Sequence, residues 1–430
     1  MENQSKDCTS MKNYLTQKFR GILLTSILFT MFFGWKITPI IDISIIINIP
    51  VLIYLLSNQS LPNTIKEINI VTSILLITII YLSIIYLTNN TASMQWILRT
   101  IRGTLSFITI ILLLKNEKKS KEEEYKDKFL LYTSLAISIH ATIIIASQLS
   151  PDIRQALHEL TNASLYVNEY VIRSNIQSLG LTYSLSLTSF LYVISVSILI
   201  YVKNIKSWIK ITLIIVNIIA CAWTARTGIA LLPIALLAGA LTSISMDWRA
   251  LSKAVGVATL SCGLFVAATA LGPTTITLQI DRITEIFYFI SNPSSTPFGR
   301  EFLPMFHLPA DLYQALFGNS LTGREKDYYV SSDVGYILVI YGTGFTGLLL
   351  MLAPVVLGIY ISIKQKKNDK NYSILSTIIL LGYLLLNLKE LALMTRTVWP
   401  VICVIISISL LEYQAHKRRE DEVENPQQAA

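Results

Sequence analysis

Apolar runs of about twenty residues, separated by short charged or turn-rich stretches, recur along this 430-residue chain. A helix rising about 1.5 Å per residue needs roughly twenty such residues to cross a hydrocarbon layer of ~30 Å. Each run therefore predicts one membrane-crossing helix. Twelve segments fit: 20–35, 37–57, 69–88, 95–114, 129–147, 181–202, 208–224, 226–245, 254–272, 333–363, 373–388 and 397–413. Two connections are too long to be simple turns, 148–180 and 273–332. The chain is thus expected to be an all-α integral membrane domain over 1–430, with a polar tail at 414–430.

Composition agrees. Hydrophobic residues make up 53% and charged ones 14%, well below the ~25% charge of soluble domains, so a soluble globular fold is excluded. Lys6, Lys12, Lys18 and Arg20 precede a first run that lacks a small-residue cleavage site, so that run is expected to stay as a span. Cys8, Cys221, Cys262 and Cys403 are spaced for neither a disulfide framework nor a metal site. No repeat relates residues 1–200 to 201–430, which argues against an inverted-repeat transporter.

Charge sets the orientation. With the N-terminus inside, 23 of the 35 Lys and Arg fall on the inner face, ten on the outer, and Arg99 and Arg102 within the fourth span. That is the positive-inside pattern of a multi-pass protein. Trp35, Trp96, Trp223 and Trp399 sit at span ends, where interfacial anchors belong. The inner cations are 19 Lys and 4 Arg, whereas seven of the ten outer ones are Arg. A guanidinium grips phosphate or carboxylate with a planar fork of donors, so the outer face is expected to hold an anion. No basic face interleaved with aromatics appears, so nucleic acid is not an expected partner.

Candidate chemistry gathers on that outer face. The 148–180 segment carries Arg154, His158, Glu159, Glu169 and Arg173; the 273–332 segment mixes aromatics with turns and is expected to fold as short helices over an outward cavity. Arg226, at a tight connection, reads as an anion clamp or an interfacial anchor. Arg300 and Arg324 follow glycine turns, and Lys326 and Asp327 come just after. Asp333 reads either as a helix-capping carboxylate or as a group at the cavity mouth. Gly342, Gly344 and Gly347 suggest close helix packing. Lys389 and Glu390 are read as an ion pair, and Arg396 as a phosphate ligand or an anchor. Arg99 and Arg102 share a helix face that points into the bundle or snorkels inward. His140 reads as a buried imidazole, and His307 as a candidate base. No paired outer carboxylates for a divalent metal, no HExxH, no GxSxG and no P-loop occur; arginines would take the place of a metal in neutralising a diphosphate.

These residues resemble the O-antigen polymerase and ligase superfamily, and within it the Wzy-type polymerases. The carriers are Arg173 with Gly180, Arg226 with Gly228, Arg300, Arg324 ten residues short of Gly335, and Asp333-Val334-Gly335-Tyr336 followed by Tyr341-Gly342-Thr343-Gly344. The resemblance implies about twelve spans in a GT-C-like bundle of the bacterial inner membrane, with the active site facing the periplasm. It implies a glycosyltransferase moving glycan en bloc from undecaprenyl pyrophosphate to the non-reducing-end hydroxyl of another lipid-linked repeat unit, with inversion and without metal or cofactor. Arg173, Arg226, Arg300, Arg324 and Arg396 would bind pyrophosphate, with Asp333 or else His307 on the acceptor and Lys389, Glu390 and Gly335 in support. Membrane lipids and a chain-length regulator would be partners. Where family ligases typically carry a His, this chain has Asp333, which favours a polymerase. A ligase acting on lipid A–core and a lipid-linked oligosaccharide flippase are the alternatives.

Overall fold

A computed structural model of the chain describes residues 19–35, 37, 43–57, 61–89, 93–119, 125–161, 184–203, 205–225, 227–228, 231–233, 300, 303–322, 324–325 and 328–424. Regular structure there is helical, apart from a two-residue antiparallel ladder pairing β1 (Arg324–Glu325) with β2 (Tyr328–Tyr329). The main helices are α1 (Phe19–Phe33), α2 (Ile43–Ser57), α3 (Leu61–Thr88), α4 (Gln95–Lys119), α5 (Tyr125–Leu149), α6 (Pro151–Leu160), α7 (Leu185–Tyr201), α8 (Ser207–Thr224), α9 (Leu312–Phe317), α10 (Gly335–Lys364), α11 (Lys370–Leu386) and α12 (Val398–Glu424). Six of them contain stretches long and apolar enough to cross a membrane, in α3, α4, α5, α8, α10 and α12; α1, α2, α7 and α11 are shorter and also apolar. The expected segments 226–245 and 254–272 lie outside the described residues, apart from a few positions near 230.

Two surfaces identify a membrane protein. Ile77, Ile80, Ile84 and Leu87 lie on one face of α3, at spacings of three and four residues, and all are exposed. Water would penalise such a stripe, whereas acyl chains accept it. Inside, α12 is the axis: Val401 to Leu411 is buried throughout, and α4, α10 and α11 pack against it while α5, α7 and α8 pack together beside it. Packing between lipid-immersed helices relies on small residues and side-chain hydrogen bonds. Here Ser134 Oγ meets Ser195 Oγ at 2.6 Å, Asn217 donates to Ser138 at 2.7 Å, and Ser362 meets Ser409 at 3.0 Å. His140 stacks on Phe33 at 4.0 Å and bonds Tyr192 at 2.9 Å, a buried imidazole held in the packing.

The bundle has an upper end, where α4 begins and α11 runs into α12, and a lower end, where α4 and α12 finish. At the upper end α10 is broken at Gly344, whose φ of 70° and ψ of 176° only glycine adopts readily. The break exposes backbone carbonyls that need donors. Asn319 N–H donates to Tyr341 O at 3.1 Å and Ser320 N–H to Gly342 O at 2.7 Å. The Tyr81 hydroxyl donates to Thr343 O at 2.8 Å, and Trp96 Nε1 fastens the same segment through Leu321 O at 3.0 Å. The close packing expected at Gly342 and Gly344 is present and reaches into the backbone of the neighbouring segment. A Cβ on Gly344 would strike the Leu316 carbonyl of α9, and one on Gly342 would strike Trp96 of α4 and the Leu321 carbonyl. Of the two readings of Arg99, the one that points into the bundle holds: its guanidinium lies 4.9 Å over the buried Trp96, back towards the upper end.

Gly344→Ala is expected to lower the melting temperature of detergent-purified protein by a few degrees, since forcing a side chain into that backbone region costs about 1–3 kcal/mol. Leu349→Ala, 67% exposed on the same helix, serves as the control and should melt like the parent. Equal melting of the two variants would show that the break does not depend on glycine.

Candidate functional site

Four chain segments converge at the upper end: the start of α7, the end of α8, the start of α10, and the connection from α11 to α12. Asn387 builds the connection. Its Oδ1 accepts from Ala392 and Leu393 N–H, each at 3.0 Å, and its Nδ2 donates to Tyr383 O at 2.8 Å. The Tyr383 hydroxyl adds a bond to Ala392 O at 3.0 Å. One buried amide thus closes the turn that leads into α12.

The start of α10 is joined to this connection. Tyr336 N–H donates to Asn387 O at 3.3 Å and the Tyr336 hydroxyl to Leu384 O at 2.7 Å. A Cβ at position 335 would lie 2.5 Å from Glu390 O and 2.7 Å from Leu391 Cα. Only glycine permits that approach, and the approach sets Glu390 beside Asp333. Across the mouth, Ser184 caps α7 through Leu187 N–H and also bonds the Glu390 carboxylate. Ser186 lies beside the same carboxylate and accepts from Thr227 at 3.0 Å. Thr227 follows Arg226 in sequence, so the end of α8 is tied to the Glu390 site by two hydroxyls.

Glu390 is the group most altered by this setting. Burial pushes its carboxyl above the ordinary carboxylate range; Ser186 and Lys389 pull it down, and Asp333 pushes it further up. The expected Lys389–Glu390 ion pair is corrected, because the carboxylate bonds Ser184 across the mouth and makes no salt bridge to its sequence neighbour among the described residues. Asp333 is exposed, and the helix-capping reading is corrected as well: Val334 caps α10 without a side-chain bond, and its N–H is taken by Ser332 Oγ at 3.1 Å. Two carboxylates, one half-buried and one open, so share the mouth. A carboxyl whose proton affinity is raised by burial is suited to hold and move a proton.

The other expected residues are dispersed. His307 packs edge-on against Tyr341 at 5.6 Å, about 9 Å along α10 from Gly335, and its Nδ1 meets Pro304 O at 3.1 Å. Arg300 is exposed. Arg324 opens the ladder opposite Tyr329. Arg173 and Arg226 lie outside the described residues. Arg396 is corrected: it is 7% exposed and donates to Gly34 O at 2.9 Å, which pins the connection to the end of α1 and leaves no open surface for a phosphate. Ser184 and Ser186 do not stand out in the sequence, where serines at span ends look like ordinary caps.

The sign of the Glu390 shift fixes a pH dependence. Its folded-state pKa lies above the ordinary 4.5, so the folded protein is disfavoured as pH rises through that interval. Glu390→Gln is expected to melt higher than the parent at pH 7, with the difference closing as pH is lowered towards 4.5. A difference independent of pH would refute the burial argument. Neither a family model nor a curated protein matches the chain, so its chemistry is argued from these residues.

Proposed function

We propose that this protein is a membrane glycosyltransferase, an O-antigen polymerase of twelve spans, with its upper end in the periplasm of a bacterial inner membrane. In this reading 148–180 and 273–332 are the periplasmic loops and the tail is cytoplasmic. The observation that carries the reading is the junction at the upper end, where Glu390 and Asp333 sit beside the segment that follows Arg226.

The acceptor hydroxyl of one lipid-linked repeat unit attacks the anomeric carbon of another, the bond to undecaprenyl pyrophosphate breaks, and configuration inverts. Asp333, on the open side, orients the acceptor hydroxyl. Glu390 takes its proton, since a carboxylate of raised proton affinity is the stronger base. Arg226, Arg300, Arg324 and Arg173 neutralise the departing diphosphate, where charge develops in the transition state. His307, against Tyr341, and Arg396, in the packing, have no part in the transfer. Aromatics of the large loop stack on sugar faces.

In cells lacking the chromosomal copy, Arg226→Ala, Arg300→Ala and Glu390→Gln are each expected to replace long-chain polysaccharide with a single repeat unit on lipid A–core, with at least a hundredfold loss of transfer for Glu390→Gln. Leu349→Ala should leave the ladder of chain lengths intact. Naked core with lipid-linked polymer would point to the ligase, and unchanged chain lengths in all variants would refute the transferase reading. Movement of labelled lipid-linked sugar across liposomes by purified protein, without chain growth, would identify a flippase.

A further inference from the structure

The lower end holds a cavity with no part in the proposed transfer. It measures about 270 Å³ and lies between the start of α5, the turn from α10 into α11, and the last third of α12. Glu412, His416 and Arg419 line it from one face of α12, at spacings of four and three residues; Gln365, Asp369 and Tyr372 face them at the same spacings, and Lys126 closes the side. The space holds roughly nine waters at ~30 Å³ each and lies just below the ~300 Å³ at which drug-sized sites begin. A small polar molecule or a headgroup fits.

Two observations define its chemistry. Gln365 is 3% exposed, its Nε2 donates to Ser409 O, and its Oε1 has no hydrogen-bond partner. An unmet buried acceptor disfavours the fold, so the site calls for a donor. Most of the charges have partners: Lys126 bonds Asp369, Glu412 accepts from the Tyr125 hydroxyl and lies 3.9 Å from Lys118, and His416 pairs with Glu420 at 3.3 Å. Arg419 is exposed and forms no ion pair among the described residues. A complementary ligand must bring both an anion for Arg419 and hydrogen-bond donors for Gln365. With the Glu412 carboxylate also on the wall, an ammonium group supplies those donors better than a hydroxyl.

We infer that this cavity binds a small phosphoester bearing a primary ammonium, of the phosphoethanolamine class. Its phosphate lies on Arg419, and its ammonium donates to Gln365 Oε1 and Glu412. The ligand is either the headgroup of a phospholipid or the free phosphoester.

The experiment titrates delipidated full-length protein with soluble O-phosphoethanolamine and phosphocholine. In parallel, retained lipid is read by native mass spectrometry after incubation with nanodiscs of phosphatidylethanolamine or phosphatidylcholine. The choline forms keep the phosphate and the charge but have no N–H donor. The ethanolamine form is expected to bind at least tenfold more tightly in one of the two arms; selection in nanodiscs identifies a lipid, and selection in solution a free metabolite. Arg419→Ala, on an exposed position that leaves folding intact, should weaken both forms at least tenfold by removing the phosphate's partner, whereas Gln365→Leu should abolish the selection. Equal binding of ethanolamine and choline forms, binding in neither arm, binding undiminished by Arg419→Ala, or selection that survives Gln365→Leu would each overturn the inference.

Discussion

A backbone polar group buried away from water must find its partner within the protein. This requirement organises the upper end. Once Gly344 breaks α10, the freed carbonyls of Tyr341, Gly342 and Thr343 need donors, and they receive them from Asn319, Ser320 and Tyr81. The 312–322 segment is therefore not an independent lid. It is the missing half of a hydrogen-bond pattern begun in the helix, and Trp96 and Ser93 secure it from the α4 side.

The same requirement governs the turn from α11 to α12. A tight reversal leaves helix-end groups unpaired, and Asn387 answers with three bonds from one side chain. The Gly335 approach then brings the connection's backbone against α10. The half-buried position of Glu390 follows from that contact, because the connection is too close to α10 for its carboxylate to swing fully into solvent. A raised proton affinity is thus a by-product of how two helix ends are joined. It would be lost if the glycine were replaced and the ends moved apart.

The sequence made some of this legible. The apolar runs located the apolar stretches of the described long helices to within a few residues, while α3 begins eight residues earlier than its run and α12 continues eleven beyond its own. That Asp333 and Glu390 stand out was also legible, since charged residues at span ends contrast with an apolar background; the structure places the two side by side. The break at Gly344 was not. Its meaning depends on carbonyl partners more than twenty residues earlier and a tyrosine on α3, and a periodic apolar pattern continues across it unchanged. The Lys389–Glu390 pair failed for a related reason: adjacency along the chain says nothing of which way each side chain turns once a serine is available across the mouth.

Counting arginines on the outer face cannot separate ligands from struts. A guanidinium has five donors, and a backbone carbonyl freed at a helix end attracts them as a phosphate does. Arg396 shows this directly, with Gly34 O as its partner at a position the sequence marks in the same way as Arg300. Arg99 shows a third use, lying over Trp96 where no anion is present. What distinguishes the classes is exposure combined with the nearest unmet acceptor. By that criterion Arg300 belongs on an open surface and Arg396 to the fold. Arginines at helix ends are therefore best read as a mixture, in which some guanidinium groups hold the helix ends together and others lie open.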